Sequence, residues 1–184
     1  MIGEEFASLL AAAQGGSEAA FSLLWRDTNP ALLRYLRVIA PGTEEDIAAE
    51  AWLQVVRGLR SFRGDEQAWR AWLFTTARRR AIDLARHRSR RPEAPLDDLT
   101  AAQLPGIEDS AEIALERLST AAAIALVSGL PRLQAEVILL RVVAGLDTES
   151  VARLLRKSPG AVRVAAHRGL HRLAQITADA GVTL

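Results

Sequence analysis

The stretch 61-SFRGDEQAWRAWLFTTARRRAIDLARHRSRR-91 decides how the rest of the chain is organised. After a short loop that contains glycine, apolar residues recur close to the helical period at Trp69, Trp72, Leu73 and Leu84. Arginines crowd the C-terminal part of the stretch: Arg78, Arg79, Arg80, Arg86, Arg88, Arg90 and Arg91. Arginine pairs with phosphate and aromatic faces stack on bases, so this helix is suited to nucleic acid. A solvated basic helix end would carry the same charge run, because cations also complement the C-terminal end of the helix dipole.

The length and composition indicate an all-α protein. With 184 residues, of which 49% are hydrophobic, the chain can form one or two small domains with well-filled cores. Alanine and leucine dominate and β-branched residues are scarce, which favours helices over strands.

The composition also excludes several kinds of site. There is no cysteine, so disulfides, thiolate metal sites and a cysteine nucleophile are excluded. The three histidines, His87, His167 and His171, have no accompanying carboxylate cluster, so we expect no metal or other cofactor. The sequence has no paired-carboxylate or Ser/His/Asp pattern and no glycine-rich phosphate loop, so we expect no enzymatic activity.

Two observations predict a cytoplasmic protein. No apolar run approaches the roughly 20 residues of a membrane span, so membrane insertion is not expected. The first residues, MIGEEFASLL, lack the basic segment that begins a signal peptide.

Positive charge is concentrated in two blocks. The 9 basic and 3 acidic residues of 61–91 give +6, and the 6 basic and 1 acidic residues of 151–184 give +5. The segments 1–60 and 92–150 are acidic, at −3 and −7. Two basic blocks separated by acidic ones predict two separate contacts with a polyanion.

The segment before the arginine-rich helix reads as a small helical bundle. Residues 4–13 predict a short amphipathic helix, Ser17 is a good N-cap for the next one, and Pro30 begins or bends a further segment. Thr43 is expected to cap a third helix, with Ile47, Ala51, Leu53, Val55, Val56 and Leu59 on its apolar face. Its other side shows Asp46, Glu50, Trp52 and Gln54.

A linker divides the chain into two domains. Three prolines and several acids mark residues 92–109 as this linker, between a first domain, 1–91, and a second, 110–178. Residues 179–184 form a tail.

The second domain predicts a helix-turn-helix. Asp147 caps a short helix, and Ser158, followed by Pro159, starts a last helix that runs to about Thr177. Val162, Ala166, Leu170 and Leu173 are expected to face the domain, and basic residues lie outside: Arg163, His167, Arg168, His171 and Arg172. A short helix, a tight turn and a longer basic helix match the motif that enters the major groove, although helical hairpins without DNA are also common.

At this point the chain resembles the sigma factors of bacterial RNA polymerase, of the small extracytoplasmic-function (ECF) type. The segment EEDIAAEAWLQVVRGLRSFRGDEQAWRAWLFTTARRRAIDLARHR resembles the family's region 2. The segment LPRLQAEVILLRVVAGLDTESVARLLRKSPGAVRVAAHRGLHRLAQ is similar to region 4. Two motif sets in the right order are far more specific than a lone helix-turn-helix.

The resemblance implies a function and a set of contacts. The protein would bind core RNA polymerase, read the −35 element as duplex and hold the −10 element as a single strand, helping to melt it. The implied polymerase contacts are Asp46, Glu50, Trp52 and Gln54. The implied −10 contacts are Ser61, Phe62, Arg63, Trp72, Arg78, Arg79, Arg80 and Arg86. The implied −35 contacts are Ser158, Arg163, His167, Arg168 and Arg172. An anti-sigma factor is a further possible partner.

Two alternatives remain open at this point, and both concern the class of the protein. One is a stand-alone helix-turn-helix regulator that binds duplex DNA without polymerase, and the other is a sigma-like protein that serves only as an interaction module. The chain also departs from the family pattern in the last helix, where Val164 and Ala165 replace a common Ser-Arg pair. This departure predicts an unusual −35 preference or a weaker dependence on that element.

Overall fold

The computed structural model describes residues 1–90 and 121–179, and every regular element in those two ranges is helical. The α-helices are α1 (Phe6–Gln14), α2 (Glu18–Ile39), α3 (Glu44–Gly58), α4 (Glu66–Arg90), the described part of α5 (121–128), α6 (Arg132–Ile138), α7 (Thr148–Leu155) and α8 (Pro159–Asp179). Short 3-10 helices occupy Gly3–Glu5 and Leu59–Ser61, and a π-helical turn, Leu139–Val143, continues α6. The all-α prediction is confirmed. The predicted linker, 92–109, and the start of the second domain lie outside the described residues.

Helices α1–α4 form the first bundle, which is built around an aromatic core. Trp69 of α4 is fully buried and lies against the rings of Phe6, Trp52, Phe62 and Trp72, at centroid distances of 5.7–6.3 Å. Each such aromatic pair contributes stability beyond that of hydrophobic burial, because edge-to-face and offset-stacked ring arrangements are favoured. The aromatic half of α4 is thus largely core, and the helix is fixed firmly in the bundle.

Two local predictions in the first bundle need correction. Pro30 does not begin a helix, because α2 continues through it from Glu18 to Ile39. Thr43 does not cap α3 with its side chain; its hydroxyl instead donates to the Ala40 carbonyl at 3.1 Å. Ser17 does cap α2 as predicted, since its hydroxyl oxygen accepts from the Ala20 amide at 3.3 Å.

Helices α5–α8 form the second bundle, and its predicted caps are confirmed. The Asp147 carboxylate accepts from the Ser150 amide at 2.6 Å at the start of α7. The Ser158 hydroxyl oxygen accepts from the Ala161 amide at 3.2 Å at the start of α8. Between them, Arg156 adopts a left-handed backbone with φ 55°, which gives the tight turn of a helix-turn-helix.

The inner face of α8 agrees with the prediction only in part. Val162 is buried as predicted, Ala166 and Leu173 are half-buried, and Ala165 is buried beside them. Leu170 is 52% exposed. Gly169 takes the inward position instead, because a Cβ there would lie 2.6 Å from Ile138 Cδ1. The absence of a side chain therefore lets α8 approach α6 closely.

The two bundles pack against each other. Helix α2 contacts α6 and the π-helical turn, and α4 contacts α7. A single connected cluster of buried residues runs through both bundles, from Phe6 in α1 to Ala165 in α8. Among the described residues, no helix is both long enough and apolar enough to cross a membrane.

Candidate nucleic-acid interface

The loop that leads into α4 is held by hydrogen bonds on both sides. Gln14 of α1 donates through Nε2 to the carbonyls of Leu59 and Phe62, at 2.9 and 2.8 Å. Asp65 accepts from the Ala68 amide at 2.8 Å and so caps α4. Ser61 and Arg63 lie on the exposed side of this loop. These contacts fix the loop and leave two predicted −10 residues open to solvent.

An aromatic pair joins the loop to α4. The rings of Phe62 and Trp72 are stacked, with centroids 5.0 Å apart and planes inclined by 8°, and both side chains are half-buried. The indole of Trp72 lies over Gly58, where a Cβ would approach it to 2.8 Å. A rigid, partly exposed aromatic pair of this kind offers a flat surface on which a base can stack.

The arginines of α4 differ in their surroundings. Arg79, Arg80 and Arg86 are exposed, although Arg80 lies 3.5 Å from Glu50 and Arg86 lies 3.7 Å from Asp83. Surface ion pairs of this kind are weak, so a phosphate can displace them. Arg78 is instead half-buried and bonded to a carboxylate of the second bundle.

An open cleft of about 760 Å³ separates α4 from α7. Five of its lining residues are arginines: Arg78, Arg79, Arg86, Arg153 and Arg156. Trp72 and Thr76 line it as well, and Asp83 is its acidic residue. The cleft therefore combines an aromatic surface with a strong positive potential, which suits a polyanion.

The predicted polymerase contacts on α3 do not all share one face. Asp46, Glu50 and Gln54 are exposed, as predicted. Trp52 is only 7% exposed, and its indole N–H donates to Asn29 Oδ1 at 2.9 Å. Its placement on the outer side was wrong because it packs edge-on against Phe21 of α2.

The outer face of α3 carries apolar residues that were predicted to be core. Leu53 is 57% exposed and Val56 is 51% exposed. They lie three positions apart beside the acidic residues, so one strip of α3 is apolar and acidic together. At about 100° per residue, Leu53 lies about 200° and Val56 about 140° around the helix from the buried Ala51, so this spacing identifies both as outward-facing.

The outer face of α8 keeps the basic residues predicted for it. Arg163, His167, Arg168 and Arg172 are exposed, as are Ser158 and Val164. Of the two positions that depart from the family pattern, Val164 stands on this face and Ala165 is buried below it.

At the start of α7, hydrogen bonds from the Ser150 amide and hydroxyl hold the pKa of the Asp147 carboxyl below its ordinary value.

A buried polar cluster that the sequence did not reveal joins the two bundles. Glu136 of α6 is 3% exposed; it accepts from the Tyr35 hydroxyl at 3.0 Å and from Arg78 Nε at 2.6 Å. Burial, followed by the charge of Glu136, raises the pKa of Tyr35 well above its ordinary value. Burial acts to lower the pKa of Arg78, but the hydrogen bond and charge of Glu136 outweigh it and the pKa is raised.

The described residues give no sign of a metal centre, since no three side chains of histidine, aspartate or glutamate cluster within 1–90 and 121–179. Five guanidinium groups line the cleft between α4 and α7, and guanidinium groups bind anions.

Comparisons with known proteins agree with this geometry. The family model for sigma-70 region 2 matches residues 24–91, and the model for sigma-70 region 4 matches residues 120–173. The chain is 34% identical to the ECF RNA polymerase sigma factor ShbA of Streptomyces griseus over 173 residues, covering 88% of this chain and 89% of the relative. It is 31% identical to BldN of Streptomyces coelicolor (93% of this chain, 65% of the relative) and 29% identical to SigD of Mycobacterium tuberculosis (98% and 88%), both also ECF sigma factors.

Two solved structures share the fold. CnrH in complex with the cytosolic domain of CnrY matches with a TM-score of 0.62 at 21% identity, over 96% of this chain and 99% of that one. RpoE in complex with the anti-sigma factor NepR, from Bartonella quintana, matches with a TM-score of 0.62 at 20% identity, over 84% and 94%. With both family regions in order and a relative of 34% identity along most of its length, the chain belongs to the ECF sigma factors of RNA polymerase.

Proposed function

We propose that this sigma factor, which binds core RNA polymerase and directs it to promoters, holds the −10 strand on the surface formed by Phe62, Trp72 and the exposed arginines of α4. The stacked pair carries this proposal, because its Trp72 lines the basic cleft together with Arg79. A base removed from the duplex loses its own stacking, at a cost of a few kcal/mol, and an aromatic platform with phosphate contacts offsets that loss.

The outer face of α8 is the proposed reading surface for the −35 duplex. Arg163 and Arg168 are exposed on a helix that begins right after the turn of a helix-turn-helix, with His167 and Arg172 beside them. Arginine reads guanine through O6 and N7 in the major groove. Val164 offers the thymine methyl an apolar contact rather than a hydrogen bond, which supports the expectation of an unusual −35 preference.

The outer face of α3 is the proposed contact with core polymerase. Asp46 and Glu50 supply charge, and the exposed Leu53 and Val56 supply the apolar centre that a stable interface needs. Trp52 supports this face from below, through its packing against Phe21, rather than by direct contact.

These assignments give each of the two domains a role. The first domain, 1–91, holds the polymerase and the −10 strand, and the second, 110–178, reads the −35 element. The protein acts in the cytoplasm, beside the polymerase, and catalyses no reaction of its own. The basic cleft between α4 and α7 is also a suitable surface for an anti-sigma factor that presents acidic residues, and RpoE of Bartonella quintana was solved in complex with an anti-sigma factor.

Separate promoter fragments test the two DNA surfaces in the polymerase holoenzyme. On a fragment with a single-stranded −10 region, Arg79→Ala should weaken binding and reduce the salt slope by about 0.7 on a log–log plot, as one lost phosphate contact does. Arg26→Ala, at an exposed position of α2, is the matched control.

On a duplex −35 fragment, Arg163→Ala should weaken binding to the preferred sequence by roughly 1–3 kcal/mol and binding to other sequences far less. Equal losses on all −35 sequences would contradict base reading by Arg163. An unchanged salt slope for Arg79→Ala would contradict its phosphate contact.

A further inference from the structure

Two arginines of the second bundle belong to neither of the proposed DNA surfaces. Arg153 of α7 and Arg156, which follows α7, line the cleft toward α4. Arg79 of α4 lines the same cleft from the other bundle. Among residues 1–90 and 121–179, none of these three guanidinium groups forms an ion pair with a carboxylate. The cleft therefore holds positive charge from both bundles that the described side chains do not balance.

The local structure positions both arginines of the second bundle. Arg156 has a left-handed backbone with φ 55°, a conformation that glycine adopts without strain because it has no Cβ. The turn itself therefore does not require an arginine, and the side chain is available for another use. Arg153 donates through Nη2 to the Ser150 Oγ at 3.0 Å, which orients its guanidinium group. The end of α7 thus presents two positioned cations to one cleft.

The wall of the cleft formed by the first bundle is aromatic. Trp72 lines it, and the indole is held in place because Phe62 stacks on it at 5.0 Å and Gly58 lies against its edge. Gln54 precedes Gly58 by one turn of α3, so both lie on the same side of that helix. Gln54 also lines the cleft. An aromatic ring and a primary amide are therefore neighbours on this wall.

We propose that this cleft binds an adenine nucleotide, whose base stacks on Trp72 and whose phosphates lie among the three arginines named above. Its volume of about 760 Å³ is that of a small-molecule site. Guanidinium groups bind phosphate through paired hydrogen bonds. The amide of Gln54 matches the N6 and N7 edge of adenine, to which glutamine donates and from which it accepts. The proposal goes beyond promoter recognition and shares only Trp72 and Arg79 with the −10 surface.

The arrangement of the charges favours a compact polyphosphate over a continuous strand. A nucleic-acid strand is held along a groove whose cations follow its backbone. Here the cations approach one space from two sides, Arg79 from α4 and the other two from the end of α7. The phosphates of a nucleotide concentrate several negative charges in such a space and offset the repulsion between the arginines.

Isothermal titration calorimetry of the full chain tests the site with ATP, GTP, adenosine and inorganic triphosphate. We expect ATP to bind most tightly, and adenosine and triphosphate to bind about tenfold more weakly, because each lacks one half of the contacts. Triphosphate that binds as tightly as ATP would overturn the nucleotide assignment and leave a general anion site. The absence of ATP binding would overturn it outright.

The preference for adenine has its own test. ATP should bind more tightly than GTP to the native chain, because guanine presents acceptors at O6 and N7 where adenine presents a donor and an acceptor. Gln54→Ala should remove this preference. Equal affinities of the native chain for ATP and GTP would overturn the assignment of adenine.

Arg156→Gly removes a cation that only this site uses, and glycine keeps the left-handed backbone. It should weaken ATP binding by about tenfold and leave adenosine binding unchanged. The matched control is Lys157→Ala, which removes the next positive charge in the sequence at an exposed position that does not line the cleft. An equal loss in both variants would indicate a general effect of charge and overturn the site.

Photo-crosslinking locates the base without any substitution. A reactive azide at position 8 of ATP should label the segments of the full chain that contain Trp72 and Gln54, and excess ATP should prevent the labelling. Labelling confined to other segments would overturn the placement of the base.

The −10 assignment is tested apart from the nucleotide. Arg156→Gly should not change the binding of a single-stranded −10 fragment to the holoenzyme, because Arg156 is not part of that surface. Losses of equal size for the fragment and for ATP would overturn a separate nucleotide site. If the chain binds no ATP but Arg79→Ala still weakens binding of the fragment, the nucleotide site is contradicted and the −10 surface is supported.

Discussion

The rings of Phe62 and Trp72 stack in parallel where the loop before α4 meets the helix, and Gly58 leaves the space that the indole occupies. This arrangement joins three separate pieces of sequence: the end of α3, the loop and α4. It explains why one segment contributes to both the core and the proposed DNA surface, since Trp69 lies inside while Trp72, three residues later, reaches the surface.

Removing Trp72, the half-buried member of the pair that lines the cleft, should affect DNA binding more than folding. We expect Trp72→Ala to weaken binding of a single-stranded −10 region in the holoenzyme by about 1–3 kcal/mol, the value of one base stacked on an aromatic ring. Binding to a duplex −35 fragment should not change. Trp25→Ala, at a partly exposed position of α2, is the control, and an equal effect of the two variants would contradict a stacking role.

The apolar strip of α3 should be required for binding to polymerase and not for folding. Leu53→Asp places a charge at the centre of the proposed interface and should weaken binding to core polymerase by about 2 kcal/mol or more, as loss of an interface hot spot does. The melting temperature should stay native because Leu53 is exposed. Leu23→Asp on α2, also exposed, should bind like the native chain, and a similar loss in both variants would argue against a specific strip.

The close contact of α6 with α8 gives a prediction about stability. Gly169→Ala should destabilise the chain by about 1–3 kcal/mol, because the added methyl meets Ile138 at 2.6 Å and Gln134 at 3.2 Å. Gly160→Ala, where the nearest atom to an added Cβ lies 3.9 Å away, should be neutral or stabilising by up to about 1 kcal/mol. Thermal unfolding of the two variants distinguishes these outcomes, and equal melting temperatures would contradict the close approach.

The cap of α7 should contribute stability that depends on pH. The pKa of Asp147 is lower in the folded chain than in the unfolded one, so its contribution is present above the unfolded value of about 3.9 and is lost as the pH falls through the folded value. Asp147→Ala should cost about 1 kcal/mol at neutral pH, the typical value of an N-cap.

The matched variant for this test is Asp147→Ser, which keeps a capping oxygen without a titrating group. Denaturant unfolding from pH 7 to pH 3 should show that the native chain loses its advantage over Asp147→Ala in acid. The serine variant should keep its own advantage, and parallel curves for all three chains would contradict the assignment of the pKa to the cap.

The local features of this chain could be predicted from the sequence, and the contacts between distant segments could not. Ser17, Asp147 and Ser158 were identified as caps because a cap is set by a few neighbouring residues. No local pattern marks Glu136 as buried, because Tyr35, its partner, is 101 positions away in sequence. Its burial depends on how two bundles dock, which no local pattern encodes.

The errors on α3 and α8 have one physical cause. Both helices carry apolar residues around more than half of their circumference, so hydrophobic character alone did not identify the buried face. The sequence pattern predicts Trp52 outside and Leu53 inside, yet the bundle buries the larger indole and exposes the leucine. On α8, the small Gly169 rather than Leu170 faces the core because α6 lies too close for a side chain.

Whether this protein starts transcription at promoters is tested on a pooled promoter library, with purified bacterial core polymerase and with or without the protein. We expect new start sites that appear only with the protein and share two spaced sequence elements, and we expect their loss with Trp72→Ala. Duplex binding without polymerase association, and no new start sites, would contradict a sigma factor and indicate a stand-alone regulator.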